Sequence, residues 1–287
     1  MLYLILAVLM SSSVSIIMRW GEKHVKNNFA MFLANYITCS LIAGFFLMQS
    51  GKPLIVQGSE SAFAAILGAV GGVLYLSCFV FMKYNITKNG VMLSTVFMKL
   101  GVLVPVLMSV IIFREKPTVW QIVGFALSIA AIVIIYLHPK DEKAEKRSRV
   151  NASILFLIAL LILGGFSESL ANIYDKFGDA ELKNHYMFCI FACAALLCAI
   201  ILIIKRKPIG RKDLLFGVMI GVPNYFSTRF LLHALSSVPA VVTYPVYNIG
   251  AIVIVGLFGI FVFGEKLNAR KAIGFFMIAV SLVLLNI

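Results

Sequence analysis

The sequence predicts an all-α membrane protein, with ten transmembrane helices arranged as two inverted five-helix repeats. Three observations carry that prediction. The first is composition. Of 287 residues, 61% are hydrophobic and 13% charged, whereas soluble domains run at roughly half apolar and about a quarter charged. A water-soluble fold could not hide that much apolar surface. The second is spacing: charge-poor runs of about 20 residues, each long enough to span the hydrocarbon as a helix, follow one another along the chain. The third is repetition. "FREKPTVWQIVGF" at 113–125 returns 150 residues later as "FGEKLNARKAIGF" at 263–275, with Phe, Glu, Lys, Gly and Phe in register.

The spans in order are 2–19, 29–49, 61–82, 90–113, 118–137, 152–174, 185–204, 213–235, 239–263 and 269–286. The first lacks the basic start and small-residue cleavage site of a secretory signal, so it reads as a retained helix. The third contains "GAVGG" at 68–72 and the eighth "GVMIG" at 217–221, an offset of 149. Each carries Gly-x-x-x-Gly, which lets helices approach closely where lipid supplies no hydrophobic drive. The fourth, eighth and ninth contain Pro105, Pro223 and Pro245, each freeing a carbonyl that must face protein or a water-filled cavity. The seventh is the clearest, with no Asp, Glu, Lys or Arg from Asn184 to Ile204. The polar stretch "HPKDEKAEKRSR" at 138–149 divides the chain near its middle. The expected organisation is a first repeat over 1–137, a charged linker over 138–150 and a second repeat over 151–287. With an odd number of helices in each half, the second half enters the membrane upside down relative to the first.

The net charge of +13 suits lipid headgroups rather than nucleic acid, because Lys and Arg fill short gaps between apolar runs instead of forming one polar face. Loops with odd numbers hold Arg19, Lys23 and Lys26, then Lys83 and Lys88, then the linker cations, Lys205 to Lys212, and Lys266, Arg270 and Lys271. Loops with even numbers hold only Lys52, Arg114, Lys116, Lys176 and Lys183. Cytoplasmic loops retain Lys and Arg, so the asymmetry predicts both termini outside and the linker inside. The five cysteines lie in apolar stretches, with no Cys-x-x-Cys, and indicate neither disulfides nor a zinc site. No cofactor or metal is expected.

Residues 231–285 carry a further pattern: Ala234-Leu235, a turn with the small Ala240, a ninth span, the Gly264-Glu265 corner and a final span containing Gly274. This resembles the end of an EamA-type repeat of the drug/metabolite transporter superfamily. The first half is a poorer copy, with "FREK" at the corner and "FMKYNITKNG" where Ala-Leu is expected. The resemblance implies a ten-helix bundle around a central cavity lined by helices 1–4 and 6–9, with helices 5 and 10 peripheral. It also implies transport of a small metabolite without naming it. Glu115 and Glu265 read as structural corners, each placed to meet the positive end of the helix that follows.

Ionisable groups inside spans are costly and point to function. Lys99, Glu168 and Arg229 lie well inside, and His233 lies near a helix end. Polar and aromatic residues gather near them: Asn172, Asn224, Tyr225, Tyr244, Tyr247 and Asn248, together with serines at 11, 12, 13 and 15. Lys99, Glu168 and Arg229, with the Asn and Tyr residues of that group, are the expected substrate-binding residues. Glu168 is also the candidate for carrying a coupling proton, unless it pairs with Arg229 or binds an amine. Two cations and one acid favour an amino acid or related carboxylate, moved by a secondary active transporter through alternating access. The alternative is an exporter of drugs or of nucleotide or sugar derivatives. No phosphate-binding loop, H-E-x-x-H or Ser/His pair is present, which argues against ATP hydrolysis and against a membrane-embedded enzyme. "GFSES" lacks the second glycine of a nucleophile elbow. The expected partners are a small-molecule substrate, the lipid bilayer and a coupling proton, with no nucleic acid. The expected setting is a bacterial inner (plasma) membrane, as monomer or homodimer.

Overall fold

The protein's structure is a computed structural model that describes residues 1–51, 58–104, 118–136, 144–235, 237–238, 240–265, 269–284 and 287. Among the described residues the chain is helical, with no strand. Its α-helices are α1 (Leu2–Trp20), α2 (Asn28–Gln49), α3 (Ser59–Asn89), α4 (Val91–Lys99), α5 (Val119–Tyr136), α6 (Ala144–Phe177), α7 (Lys183–Lys205), α8 (Arg211–Leu235), α9 (Ala240–Phe261) and α10 (Ala269–Leu284). Among the described residues, four stretches are long and apolar enough to cross a membrane on those grounds alone: Leu2–Lys23, Asn28–Gln49, Glu60–Asn89 and Ala180–Lys205. Shorter apolar helices cover Val91–Val102, Ile154–Leu170, Val246–Phe261 and Ala272–Leu284.

Local chemistry explains several boundaries. Asn27 caps α2, its Oδ1 accepting from the N–H groups of Phe29 and Ala30 at 3.2 and 3.3 Å. α4 tightens into a 3₁₀ turn over Leu100–Val102. Pro105, where the sequence suggests a break, lies outside the described residues.

Two expectations need correction. α3 does not stop at 82 but runs to Asn89, where Gly90 at φ +84° ends it. Lys83 is therefore not a solvated loop cation. It is 5% exposed, and its Nζ donates to the Met18 carbonyl, in the last turn of α1, at 3.1 Å. The charged linker is also shorter than 138–150. Residues 138–143 lie outside the described residues, and from Ala144 the chain already belongs to α6, as Ala, Glu, Lys and Arg favour helix.

The helix pairings repeat across the two halves. α1 packs on α8 and α9, and α6 packs on α3 and α4. α2 packs on α8, and α7 on α3. α2 with α7, α4 with α9 and α5 with α10 are the other principal pairings. Replacing each helix by the one five places along maps this set of pairings onto itself. The two Gly-x-x-x-Gly stretches serve equivalent contacts. A Cβ at Gly68 or Gly72 of α3 would fall 2.6 or 2.7 Å from Cys189 or Cys193 of α7. A Cβ at Gly217 or Gly221 of α8 would fall 2.4 or 2.7 Å from backbone oxygens of Met31 or Asn35 of α2. Only glycine permits these approaches. The main buried cluster, including Phe32, Tyr36, Phe79, Tyr186, Phe191 and Tyr225, fills the space between α2, α3, α7 and α8. α5 and α10 pair with each other at the edge.

Candidate functional site

Helical spacing brings polar side chains of different helices to one lumen. Ser11 and Ser15 of α1, and Thr95 and Lys99 of α4, are each four residues apart, and Asn224, Ser227 and Thr228 of α8 share one face. α3 adds Tyr75 and Cys78, α6 adds Ser167 and Glu168, and α9 adds Tyr247. These residues surround a cavity of about 120 Å³, counted as space for the centres of water-sized spheres. One water needs roughly 10–15 Å³ on that measure, so the lumen has room for a small organic solute. Its remaining wall is apolar and includes Val14, Met18, Phe79, Met82 and Met98.

The cavity holds a cation and a carboxyl group that do not touch. Lys99 is 4% exposed, and its Nζ stands 3.7 Å from the centre of the Tyr247 ring. A desolvated cation over an aromatic face gains about 2 kcal/mol. That contact holds the ammonium in place without neutralising it. Glu168 is near enough to feel the Lys99 charge. Among the described residues, however, no Lys, Arg or His lies within 4.0 Å of its carboxylate. Glu168 Oε2 and Thr95 Oγ1 are buried and have no hydrogen-bond partner among the described residues. A buried polar atom left unsatisfied costs roughly 1–3 kcal/mol, so these oxygens are set up for a ligand or for water. The other polar groups are engaged. Tyr247 OH and Ser227 Oγ are 3.2 Å apart, Tyr75 OH and Thr228 Oγ1 3.5 Å apart, and Asn224 Nδ2 donates to Asn35 Oδ1 at 3.2 Å.

Of the residues expected from the sequence, Lys99, Glu168, Asn224 and Tyr247 therefore meet at one cavity. Arg229 does not. Its Nη1 donates to Asn184 Oδ1 at 3.2 Å and to Tyr225 OH at 3.0 Å, and its guanidinium lies 3.8 Å from the centre of the Phe46 ring. Tyr225 is 0% exposed, stacks on Phe46 and serves that same cluster. An arginine with two hydrogen bonds and an aromatic platform is already solvated by the protein, so an ion pair with Glu168 is not formed. Asn248 is also 0% exposed, with both amide atoms unpartnered among the described residues, and it does not line the cavity. Asn172 and Tyr244 lie on α6 and α9, with side chains outside the described residues. Glu115 is outside them altogether. His233 is exposed and stacks on Tyr3 at 5.4 Å. Ser12 and Ser13 bond back to Val8 and Leu9 carbonyls of their own helix.

Some lining residues were not singled out by sequence reasoning. Tyr75, Cys78, Phe79 and Met82 follow the i, i+3, i+4, i+7 rule for one helix face, but an apolar stripe of that kind reads as packing. α2 and α7 were expected to line the cavity, yet they supply none of its wall. They pack on each other and brace α3 and α8 from behind.

The corner carboxylate Glu265 meets a helix N-terminus, that of α4. The N–H groups of Val91 and Met92, at the start of α4, donate to its Oε1 and Oε2 at 2.7 and 3.2 Å. A carboxylate there satisfies orphan amides and the positive end of α4 together.

Residues 1–137 match the EamA-like transporter family. The whole chain is similar to an uncharacterized protein of Haemophilus influenzae (strain ATCC 51907 / DSM 11121 / KW20 / Rd), at 26% identity over 279 residues that cover 94% of this chain and 92% of the relative. Its fold is also that of a solved crystal structure, described simply as that of a protein, with TM-score 0.65, 14% identity, and 99% of this chain and 94% of the other covered. The family match covers a little under half of the chain, and together with the apolar helices it supports a multi-span helical membrane protein.

Proposed function

We propose that this membrane transporter carries a small zwitterion, an amino acid or a closely related carboxylate, by secondary active transport with alternating access. The observation that carries the proposal is the placement of Lys99 and Glu168 at one lumen with no direct ion pair between them. A purely anionic solute would answer Lys99 but stand beside the Glu168 charge, and a purely cationic one would do the reverse. A zwitterion pairs with both, its carboxylate toward Lys99 and its ammonium toward Glu168 and Thr95 Oγ1. When the site is empty, Glu168 is the group that carries a coupling proton. The moving units are the halves 1–137 and 151–287, each inverted relative to the other, and rocking one against the other exposes the cavity to each side in turn.

Proteoliposomes containing the purified chain should show saturable uptake of an amino acid and accelerated counterflow when preloaded with it. The same solute should stabilise the detergent-solubilised protein against heat. At a concentration 100 times its dissociation constant the gain is about 2.7 kcal/mol. Stabilisation by cationic drugs or nucleotide sugars with none by any zwitterion would overturn the substrate reading.

The setting proposed is a bacterial plasma membrane with both termini outside, from the excess of Lys and Arg in odd-numbered loops. A C-terminal reporter that fluoresces only in an oxidising periplasm should be active. A reporter active only in the cytoplasm would reverse the orientation.

A further inference from the structure

We infer that Glu265 is the latch of a closed gate, sealing the end of the cavity marked by Met18 and Met82. This rests on the alternating-access reading and adds to it which contact must break. α3 ends at Gly90 (φ +84°) and α4 starts at once, so the first N–H groups of α4 point away from any helical partner. Glu265 reaches them from the turn after α9, in the other half of the chain, with both carboxylate oxygens. The approach needs glycine at 90: a Cβ there would lie 2.7 Å from Oε1. The turn that presents Glu265 is itself pinned, with its own N–H donating to the Gly259 carbonyl at 2.9 Å and Gly264 in the left-handed region at φ +64°.

Arg19, at the end of α1, completes the cluster. Its Nε is 3.7 Å from Glu265 Oε1, and its Nη1 pairs with Glu22 and donates to the Ile86 carbonyl at 3.4 Å. Just inside, Lys83 ties α3 to α1 through the Met18 carbonyl. Met18 and Met82 then face the cavity. The bonds of Arg19 and Lys83 to Glu22, Ile86 and Met18 stay within the first half and can move as one body. The Glu265 bonds to Val91, Met92 and Arg19 cross between the halves, so opening this end requires that they break. The loops that meet here, α1–α2, α3–α4 and α9–α10, all have odd numbers, which puts the gate on the side that the charge asymmetry assigns to the cytoplasm.

The test uses Cys78, a native thiol in the cavity wall that is 3% exposed in this closed arrangement. The full chain in vesicles of either orientation is treated with a membrane-impermeant maleimide, and alkylation of Cys78 is followed by peptide mass spectrometry. Loss of charge-assisted bonds of this kind shifts an equilibrium roughly ten- to a hundredfold. Glu265→Ala should therefore raise the alkylation rate by about that factor from the α9–α10 loop side only. Glu265→Gln, of the same size and able to accept from only one amide, should give a smaller rise from that side and serves if the alanine variant does not fold. Gly90→Ala should mimic Glu265→Ala, because its methyl displaces the carboxylate. An unchanged rate in folded variants overturns the latch, and so does an equal rise from both sides, which would mean a loosened bundle. No substrate is needed. A one-sided rise in a protein that transports no zwitterion would retain the gate and retire the substrate reading, and an unchanged rate with normal zwitterion uptake would do the opposite.

Discussion

Glu168→Gln is expected to reduce proton-gradient-driven uptake of the zwitterion to the level of protein-free liposomes. Glutamine keeps the size and a hydrogen-bonding oxygen but has no charge and cannot take up or release a proton. The parent carboxylate lines the cavity and its Oε2 has no partner among the described residues, so replacement by an amide of the same size should not unfold the bundle. The remaining activity separates two roles. If Glu168 carries the proton, counterflow at zero gradient persists near the parent rate. If it holds the substrate ammonium, counterflow falls as well, and binding weakens by the value of a charge-assisted hydrogen bond, about 1.5–3 kcal/mol or roughly ten- to a hundredfold. Gradient-driven uptake at the parent rate by a folded variant would remove Glu168 from the site.

Lys99→Ala is expected to raise the half-saturation concentration for the same solute by a comparable factor, roughly ten- to a hundredfold. Lys99 is buried, stands over the Tyr247 ring and has no carboxylate within 4.0 Å among the described residues, so its charge is available to a substrate anion. The informative comparison is Arg229→Ala. Arg229 is equally internal along the sequence, but it is spent on Asn184, Tyr225 and Phe46. Its loss should lower the thermal midpoint and leave the half-saturation concentration unchanged. Equal effects of the two substitutions on half-saturation would mean that the cavity does not contain the anion site.

Much of this protein was legible before any coordinates. Each helix expected from an apolar run is present over its described residues, because hydrocarbon forces every backbone amide into a helix and hydropathy is a property of local composition. The paired Gly-x-x-x-Gly stretches, which the sequence marks as places of close helix approach, make equivalent contacts on α7 and α2. The intramembrane ions were also visible, since an ionisable residue in a long apolar run stands out however it is folded.

Which of those ions share a lumen was not visible. Depth along a helix can be counted at about 1.5 Å per residue, and by that count Glu168 and Arg229 were candidates for a pair. Rotation about the helix axis and the choice of neighbour decide otherwise, and both are set by packing. Gly217 and Gly221 lock α8 against α2, which keeps Asn224 and Ser227 on the cavity while Tyr225 and Arg229 turn toward Phe46 and Asn184. The same limit applies to Glu265. Its sequence neighbourhood offered the start of α10 as a partner, and the structure adds one 174 residues away on α4. The sequence by itself determined where the apolar helices lie and where paired glycines let them approach, because each follows from the composition of a few consecutive residues. Only the tertiary structure decided the contents of the cavity and the latch beside it, because both depend on side chains from separate helices whose distances no local pattern encodes.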